Sequence, residues 1–406
     1  MKKPSIKLSS SIYLIIEVLV KLIPFMILPV LTNYWTKSEF GLFSLYIAIL
    51  PILSILLDFG QRISIKRFFI SYPKQIFSFI QVVNLLLIVI FLFIFCITLL
   101  FEVEILEKIE NKYFLITIFL FTIIELYLSF LQISQKIILY NIIYFIKQTF
   151  PYLTILILIL VNNVYINVSV FMFIQLFIFL ILSIYIYFIV YKKIYFNINY
   201  KKYITYSLGI SLPVIPAILS TFILSASDKY MISIYYSHEE VALYSISYTV
   251  GSILAMIVLA LNKAWQPFIL NCLKNKSYLK LKTLSRYYTL LVIILGILLT
   301  ISSEYLLLFI SNKSYLVGSE MIPEIIIGIF FYFLYTMYSN IAFYYKKMFL
   351  FALPAIIAAT INIILNMYLL PLYSYKIAAT TTMISYFIEF LIIYLISKKY
   401  FKINLL

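Results

Sequence analysis

The sequence predicts an all-α polytopic membrane protein: twelve transmembrane helices in two six-helix lobes, arranged as a parallel repeat around a central cavity. Three observations carry this. The 406 residues are 65% hydrophobic and 11% charged, too little polar surface to cover a soluble domain. Apolar runs of about 20 residues, each long enough to cross a bilayer as a helix, recur along the whole length. The basic residues between those runs alternate from side to side with every span.

Inside lipid the backbone must satisfy its own hydrogen bonds, which leaves helices or a closed barrel. The runs are continuous rather than alternating, so helices are expected. The spans read 11–34, 41–61, 76–100, 113–134, 138–161, 167–190, 212–236, 241–262, 287–310, 322–345, 349–371 and 376–397. The N-terminus, MKKPSIKLSSSIYLII, begins like a signal peptide. It has no small-residue cleavage site and its apolar run continues to about Tyr34, so it reads as the first span. The loops are short, and no soluble domain fits between spans.

Orientation follows from Lys and Arg. One side collects Lys2, Lys3, Lys7, the group Arg62 to Lys74, Lys136, Lys192 to Lys202, Lys263 to Arg286, Lys346, Lys347 and the C-terminal Lys398, Lys399 and Lys402. The other side holds Lys37, Lys108, Lys112, Lys313 and Lys376, with most of the acids, Glu102 to Glu110, Glu239, Glu240, Glu304, Glu320 and Glu324 among them. The basic side faces the cytoplasm, so both termini are cytoplasmic. The net charge of +16 therefore reads as membrane-flanking charge and not as a nucleic-acid surface.

The run Ser38-Glu39-Phe40-Gly41-Leu42-Phe43-Ser44 has an echo at Glu239-Glu240-Val241-Ala242-Leu243-Tyr244-Ser245, 201 residues later. The same offset places Arg62 on Lys263. Six spans per half and an even shift give both halves one topology, a parallel repeat. The lobes are expected at 1–200 and 201–406. The repeat also extends span 7 to near Tyr235 and moves Asp228 and Lys229 into its outer half, although hydropathy alone ends that span at Ser225.

Charged groups at depth are costly and face a bundle interior or water. They are Glu17 and Lys21 in span 1, Glu125 in span 4, Lys147 in span 5, Asp228 and Lys229 in span 7 and Glu389 in span 12, with Asp58 and Arg62 closing span 2. Glu17 with Lys21, and Asp58 with Arg62, are four apart and share a helix face. Asp228 and Lys229 point about 100° apart and need different partners. One reading has Lys21, Arg62, Lys229 and Lys263 lining a water-filled cavity and holding an anionic group. The other has the charges locking helices together as ion pairs; it is preferred for Glu125, Lys147 and Glu389.

Asn362 and Asn366 share a face of span 11, and span 12 carries Thr380, Thr381, Thr382 and Ser385; these read as interhelical hydrogen bonds. Tyr34, Trp35 and Trp265 read as interfacial anchors. His238, the lone histidine, reads as an outer-surface residue. Cys96 and Cys272 have no partner at metal-ligand spacing, so neither a metal site nor a disulfide is expected. With seven glycines in the chain, no phosphate loop occurs. No catalytic pattern or cofactor motif is present, and the chain reads as a non-enzyme.

The strings KLIPFMILPVLTNYWTKSEFGLFSL (21–45), DFGQ (58–61), LPVIPAILS (212–220), SDKYMI (227–232), EVALYSISY (240–248), AWQPF (264–268), INIILNMYLLP (361–371) and AAT (378–380) are similar, in order and spacing, to one family. The chain resembles the polysaccharide-biosynthesis flippases that move O-antigen or capsule repeat units, relatives of multidrug extrusion transporters and peptidoglycan lipid flippases. It departs from that family at Lys229, where Arg is usual, at Ala242, often Gly, and at Tyr373–Ser374, where the family has a Gly-containing turn.

The resemblance implies an undecaprenyl-diphosphate-linked oligosaccharide as cargo, carried from the inner to the outer leaflet of the bacterial cytoplasmic membrane. Arg62 and Lys263 would capture the head at the inner mouth, and Lys21 and Lys229 would hold it deeper. Glu17, Asp58 and Asp228 are the candidates for proton or sodium coupling. Membrane lipid and the polymerase and glycosyltransferases of the same pathway are the implied partners. Two alternatives stay open: a multidrug or cation antiporter of the same fold, and a membrane polysaccharide polymerase or ligase.

Overall fold

In the computed structural model the described residues are 6–100, 113–161, 165–192, 199–345, 347–401 and 405. The acidic stretch Glu102–Glu110 and Lys112 lie outside them. The first half runs α1 (Ile6–Tyr34), α2 (Lys37–Asp58), α3 (Gln61–Ser71), α4 (Ile76–Leu100), α5 (Phe114–Ile133), α6 (Ile137–Val161) and α7 (Val168–Val190). The second runs α8 (Tyr200–Ser211), α9 (Ile215–Tyr235), α10 (His238–Lys274), α11 (Tyr278–Ile301), α12 (Ser303–Ile310), α13 (Ile322–Tyr344), α14 (Met348–Leu369) and α15 (Ile377–Ile396). Among the described residues, eleven helical stretches are long and apolar enough to cross a membrane. The end of α1, apolar from Val18 to Tyr34, supplies the twelfth expected span.

The 201-residue register is visible in the helix ends. α1 ends at Tyr34 and α9 at Tyr235; α2 starts at Lys37 and α10 at His238; α4 ends at Leu100 and α11 at Ile301. The echoed strings are a pair of helix starts. Thr36 and Glu39 exchange bonds at the head of α2, Thr36 N donating to Glu39 Oε2 at 3.1 Å and Glu39 N to Thr36 Oγ1 at 3.2 Å. Ser237 and Glu240 form the corresponding capping box on α10, with Ser237 N donating to Glu240 Oε2 at 3.0 Å. Each box satisfies amides that a helix start otherwise leaves without acceptors.

Between these ends the halves differ. α2 stops at Asp58 because Phe59 and Gly60 both adopt positive φ, 47° and 71°, which breaks the helix ladder. A Cβ on Gly60 would also sit 3.3 Å from the Ser211 carbonyl oxygen. Arg62 therefore opens a new helix, α3, and does not close span 2. Ala260 and Leu261 stand at the equivalent places, and α10 runs unbroken through Lys263 to Lys274. Lys263 closes the apolar stretch His238–Lys263, the expected end of span 8, and the helix continues beyond it. Span 9 is also corrected. The helix starts at Tyr278, because Lys280, Lys282 and Arg286 depress hydropathy without breaking a helix, and it ends at Ile301, with α12 separate.

The chain divides into two compact units, Met1–Trp35 with Ile49–Ile218, and Thr36–Ala48 with Leu219–Leu406. In the first, α5 packs against α3, α6 and α7, and α1 against α6. In the second, α13 packs against α10, α11, α14 and α15. Trp35 is not an interfacial anchor. It is buried, its Nε1 donates to the Ile166 carbonyl at 2.9 Å, and its ring meets Phe171 edge-on. Trp265 likewise packs on Phe268 and Tyr288. Aromatic residues near a span end carry the same sequence signal whether they face lipid or core.

Candidate functional site

Each unit holds a group of buried polar side chains built around a carboxylate. In the first unit the turn at Phe59–Gly60 organises it. Asp58 is 1% exposed; its Oδ1 accepts the Gly60 amide at 2.8 Å and its Oδ2 accepts Arg62 Nε at 2.6 Å. The guanidinium continues to Glu125 Oε2 on α5 at 3.4 Å, and its Nη2 donates to Ser54 Oγ on α2. Glu125 in turn pairs with Lys147 of α6. Thr122 donates to the Ser54 hydroxyl at 2.9 Å. Lys147 lies over the Phe121 ring, 4.4 Å from its centroid, so its charge is met on one side by a carboxylate and on another by a π face.

The expected Asp58–Arg62 pair is therefore present, and Glu125 and Lys147, expected to lock helices but with no partners assigned, pair with each other and join it through Arg62. Sequence spacing could not supply that link, which is made between helices and not along one. The side chain of Arg62 keeps 19% of its surface exposed while Lys147 keeps 2%. Lys66, half-buried one turn along α3, also lies in the field of Glu125. Two carboxylates thus face three cations.

The second unit centres on Asp228. It sits in α9 seven residues before Tyr235, about 10 Å along the axis, and is 1% exposed. This is the helical position the repeat predicts. Asn366 Nδ2 on α14 donates to Oδ1 at 2.7 Å; Tyr244 OH on α10 and Thr382 Oγ1 on α15 donate to Oδ2 at 2.6 and 2.5 Å. A supporting layer holds these donors. Thr381 Oγ1 donates to Asn366 Oδ1 at 2.6 Å, Asn362 Nδ2 to Thr382 Oγ1 at 3.2 Å and Ser227 Oγ to Asn362 Oδ1 at 3.1 Å. The stripes on spans 11 and 12 do bond between helices: Asn366 and Thr382 to Asp228, and Thr380 to Glu324 of α13 at 2.8 Å, whereas Ser385 bonds back to the Thr381 carbonyl of its own helix. No sequence signal marks Tyr244; the first copy of the echo has Phe43 there, so the hydroxyl belongs to one half only.

All three bonds to Asp228 come from neutral donors. Lys229, next in sequence, is half-buried in the field of the Asp228 carboxylate, and its ammonium makes no hydrogen bond or ion pair among the described residues. The surroundings of Asp228 are oxygen-rich around a single carboxylate, chemistry suited to a proton or a small hard cation. Among the described residues no three His, Cys, Asp or Glu side chains come together to hold a metal ion.

Of the remaining predicted residues, Lys21 is exposed on α1 and Lys263 on α10. The Glu17 side chain lies outside the described residues. Glu389 is buried, and no cation pairs with it among the described residues; the expected helix-locking ion pair is corrected here, because α15 faces tyrosines at that level and not a basic residue.

Comparison with known proteins bears on this arrangement. The family model described as "Polysaccharide biosynthesis protein" matches residues 7–272, and a second, MatE, matches residues 213–369. An uncharacterized membrane protein of Haemophilus influenzae is 27% identical over 357 residues, 83% of this chain and 84% of its own. Among solved structures, the lipid II flippase MurJ in an inward closed conformation superposes with a TM-score of 0.74, at 18% identity, over 95% of this chain and 87% of its own. An inward-facing multidrug resistance MATE family transporter of the MOP superfamily gives 0.68, at 11% identity, over 94% and 93%.

Proposed function

The chain belongs to the polysaccharide biosynthesis protein family, and from that premise we propose that it is a flippase for an undecaprenyl-diphosphate-linked oligosaccharide, an O-antigen or capsule repeat unit. The movement is from the inner to the outer leaflet of the cytoplasmic membrane, with both termini cytoplasmic and the halves 1–200 and 201–406 acting as lobes. The likeness to a flippase of a lipid-linked precursor supports a cargo of that type.

The observation that carries this reading is Lys229. A cation within a membrane helix is retained where something anionic offsets it. Asp228 takes its hydrogen bonds from Asn366, Tyr244 and Thr382 and acts on Lys229 through charge alone, so the ammonium keeps its donors for a ligand. A diphosphate offers that charge, and attraction is strong where the dielectric is low. Arg62, anchored by Asp58 and Glu125 yet still partly exposed, is the second contact; Lys21 and Lys263 complete the cationic path. The sugar head uses the polar side chains while the polyprenyl tail remains in lipid. Asp58, Asp228 and Glu17 are the groups for proton or sodium coupling.

The test is surface glycan in a deletion strain complemented with Arg62→Gln, Lys263→Gln, Lys21→Gln or Lys229→Gln. Surface glycan falls at constant protein level. Full export by all four variants removes the cationic path. A second reading, a cation-coupled multidrug exporter, has one specific support: the MatE match spans both Asp228 and Asn366. Drug sensitivity of the deletion strain with unchanged surface glycan would favour it.

A further inference from the structure

Glu389 is the buried carboxyl of the second unit that the proposed function leaves unused. It lies on α15, 12 residues past Ile377, about 18 Å along the helix axis. It is 2% exposed, and its Oε2 has no hydrogen-bond partner. Among the described residues no charged group acts on it. One oxygen of this carboxyl is thus buried without a donor, and among the described residues no cation is paired with it, a costly arrangement for a carboxylate.

Its neighbours are phenols. Tyr386 lies three residues before it on α15; its ring centroid is 5.5 Å from that of Tyr332 on α13, which is 6.1 Å from that of Tyr335. α14 presents no Asp, Glu, Lys, Arg or His anywhere along its length. Tyr386 is buried against Leu224, Ala358 and Ala359 and is hydrogen-bonded to Tyr248 of α10. Tyr248 is one helical turn from Tyr244, with ring centroids 6.0 Å apart, and Tyr244 holds Asp228 at 2.6 Å. Tyr244 and Tyr248 stand about 9 and 15 Å down α10 from His238. Hydroxyl-bearing rings therefore step from the level of Asp228 toward that of Glu389.

We propose that Glu389 is a proton-binding site of the transport cycle, and that the tyrosines Tyr386, Tyr332, Tyr335 and Tyr248 are the groups through which its proton exchanges. The inference rests on reading the chain as an ion-coupled flippase and adds a coupling carboxyl to it. In the exchange the O–H bond of the carboxylic acid breaks and the proton passes to a phenol oxygen. That phenol releases its own proton to the next oxygen and the last one to solvent water, so each tyrosine ends unchanged and Glu389 is left as the carboxylate. No oxidant, reductant or co-reactant is needed.

The experiment uses purified protein in bilayers, without cargo. Infrared difference spectra are recorded as the pH is raised. Wild type loses a carboxylic-acid C=O stretch and gains carboxylate bands. Glu389→Gln lacks that band, Asp228→Asn keeps it, and Tyr386→Phe keeps it with a slower isotope shift after transfer to heavy water. Should Glu389→Gln fail to fold, Glu389→Asp serves instead, with the band displaced. The same spectrum in wild type and Glu389→Gln overturns the proposal. So does a folded Glu389→Gln that exports surface glycan at the wild-type rate and with the wild-type pH dependence. The spectrum needs no cargo, so a Glu389 band in a protein whose loss leaves lipid-linked oligosaccharide unaffected overturns the flippase reading alone.

Discussion

Asn366 donates its side-chain amide to Asp228 Oδ1 over 2.7 Å, joining α14 to α9 across 138 residues of sequence. Together with Tyr244 and Thr382 it surrounds one intramembrane carboxylate with neutral donors. Asp228→Ala leaves three donors without their acceptor, at a cost of about 1–3 kcal/mol for each buried group stranded. Asp228→Asn keeps the shape and is expected to fold close to wild type while losing transport. Thermal unfolding in detergent, read beside surface-glycan export, separates the two effects. Equal loss of stability in both variants would contradict the claim that Asp228 is held by shape and hydrogen bonding together.

The network in the first unit behaves as a unit. Lys147→Met strands Glu125 beside Arg62 and costs about 3–5 kcal/mol, whereas the double variant Lys147→Met with Glu125→Gln recovers most of that. Size-exclusion stability curves for the two singles and the double give the coupling directly. Additive losses would mean that Glu125 and Lys147 act independently.

Gly41 and Ala242 occupy equivalent places in the two capped helices, yet they are not interchangeable. A Cβ at Gly41 would overlap the His238 carbonyl oxygen, so Gly41→Ala requires backbone movement and costs at least about 1–3 kcal/mol. Ala242→Gly makes no clash and costs about 1 kcal/mol through helix propensity. Expression level and melting temperature check the order of the two. Gly41→Ala that melts with wild type would remove the close approach of the two helix starts.

The paired capping boxes give a matched test of the repeat. Thr36→Ala and Ser237→Ala are each expected to lose about 1 kcal/mol. Hydrogen exchange at the amides of Glu39 and Glu239, which donate to the two capping hydroxyls, reports the local loss, which should be similar in both halves. Exchange unaltered in either half would mean that its cap contributes nothing.

Lys229→Arg and Lys229→Gln separate charge from shape at the proposed cargo contact. Arg offers a bidentate fork to a phosphate that Lys lacks, so Lys229→Arg should match or exceed wild-type export and Lys229→Gln should fall well below it. Surface glycan per unit of protein is the readout.

Much of this was readable before any coordinates. Hydropathy places the spans, and the echo at Ser38 and Glu239 fixes the offset that carries Asp228 into α9. What sequence could not show was which charge meets which. The Arg62–Glu125 contact joins α3 to α5 and depends on the Phe59–Gly60 turn, whose effect on helix direction has no periodic signal. Tyr244 is one of 38 tyrosines, and only the packing of α10 on its neighbours selects it. Glu389 looked like Glu125 by hydropathy. Their difference, a cation across the helix for one and phenols for the other, lies wholly in the partner helices.

The measurement that tests the central claim most directly is the sidedness of lipid-linked oligosaccharide in cells lacking this protein. The account predicts that the intermediate accumulates on the cytoplasmic face with chain joining intact, and that wild type but not Lys229→Gln clears it. Accumulation on the outer face, or no accumulation, would contradict it.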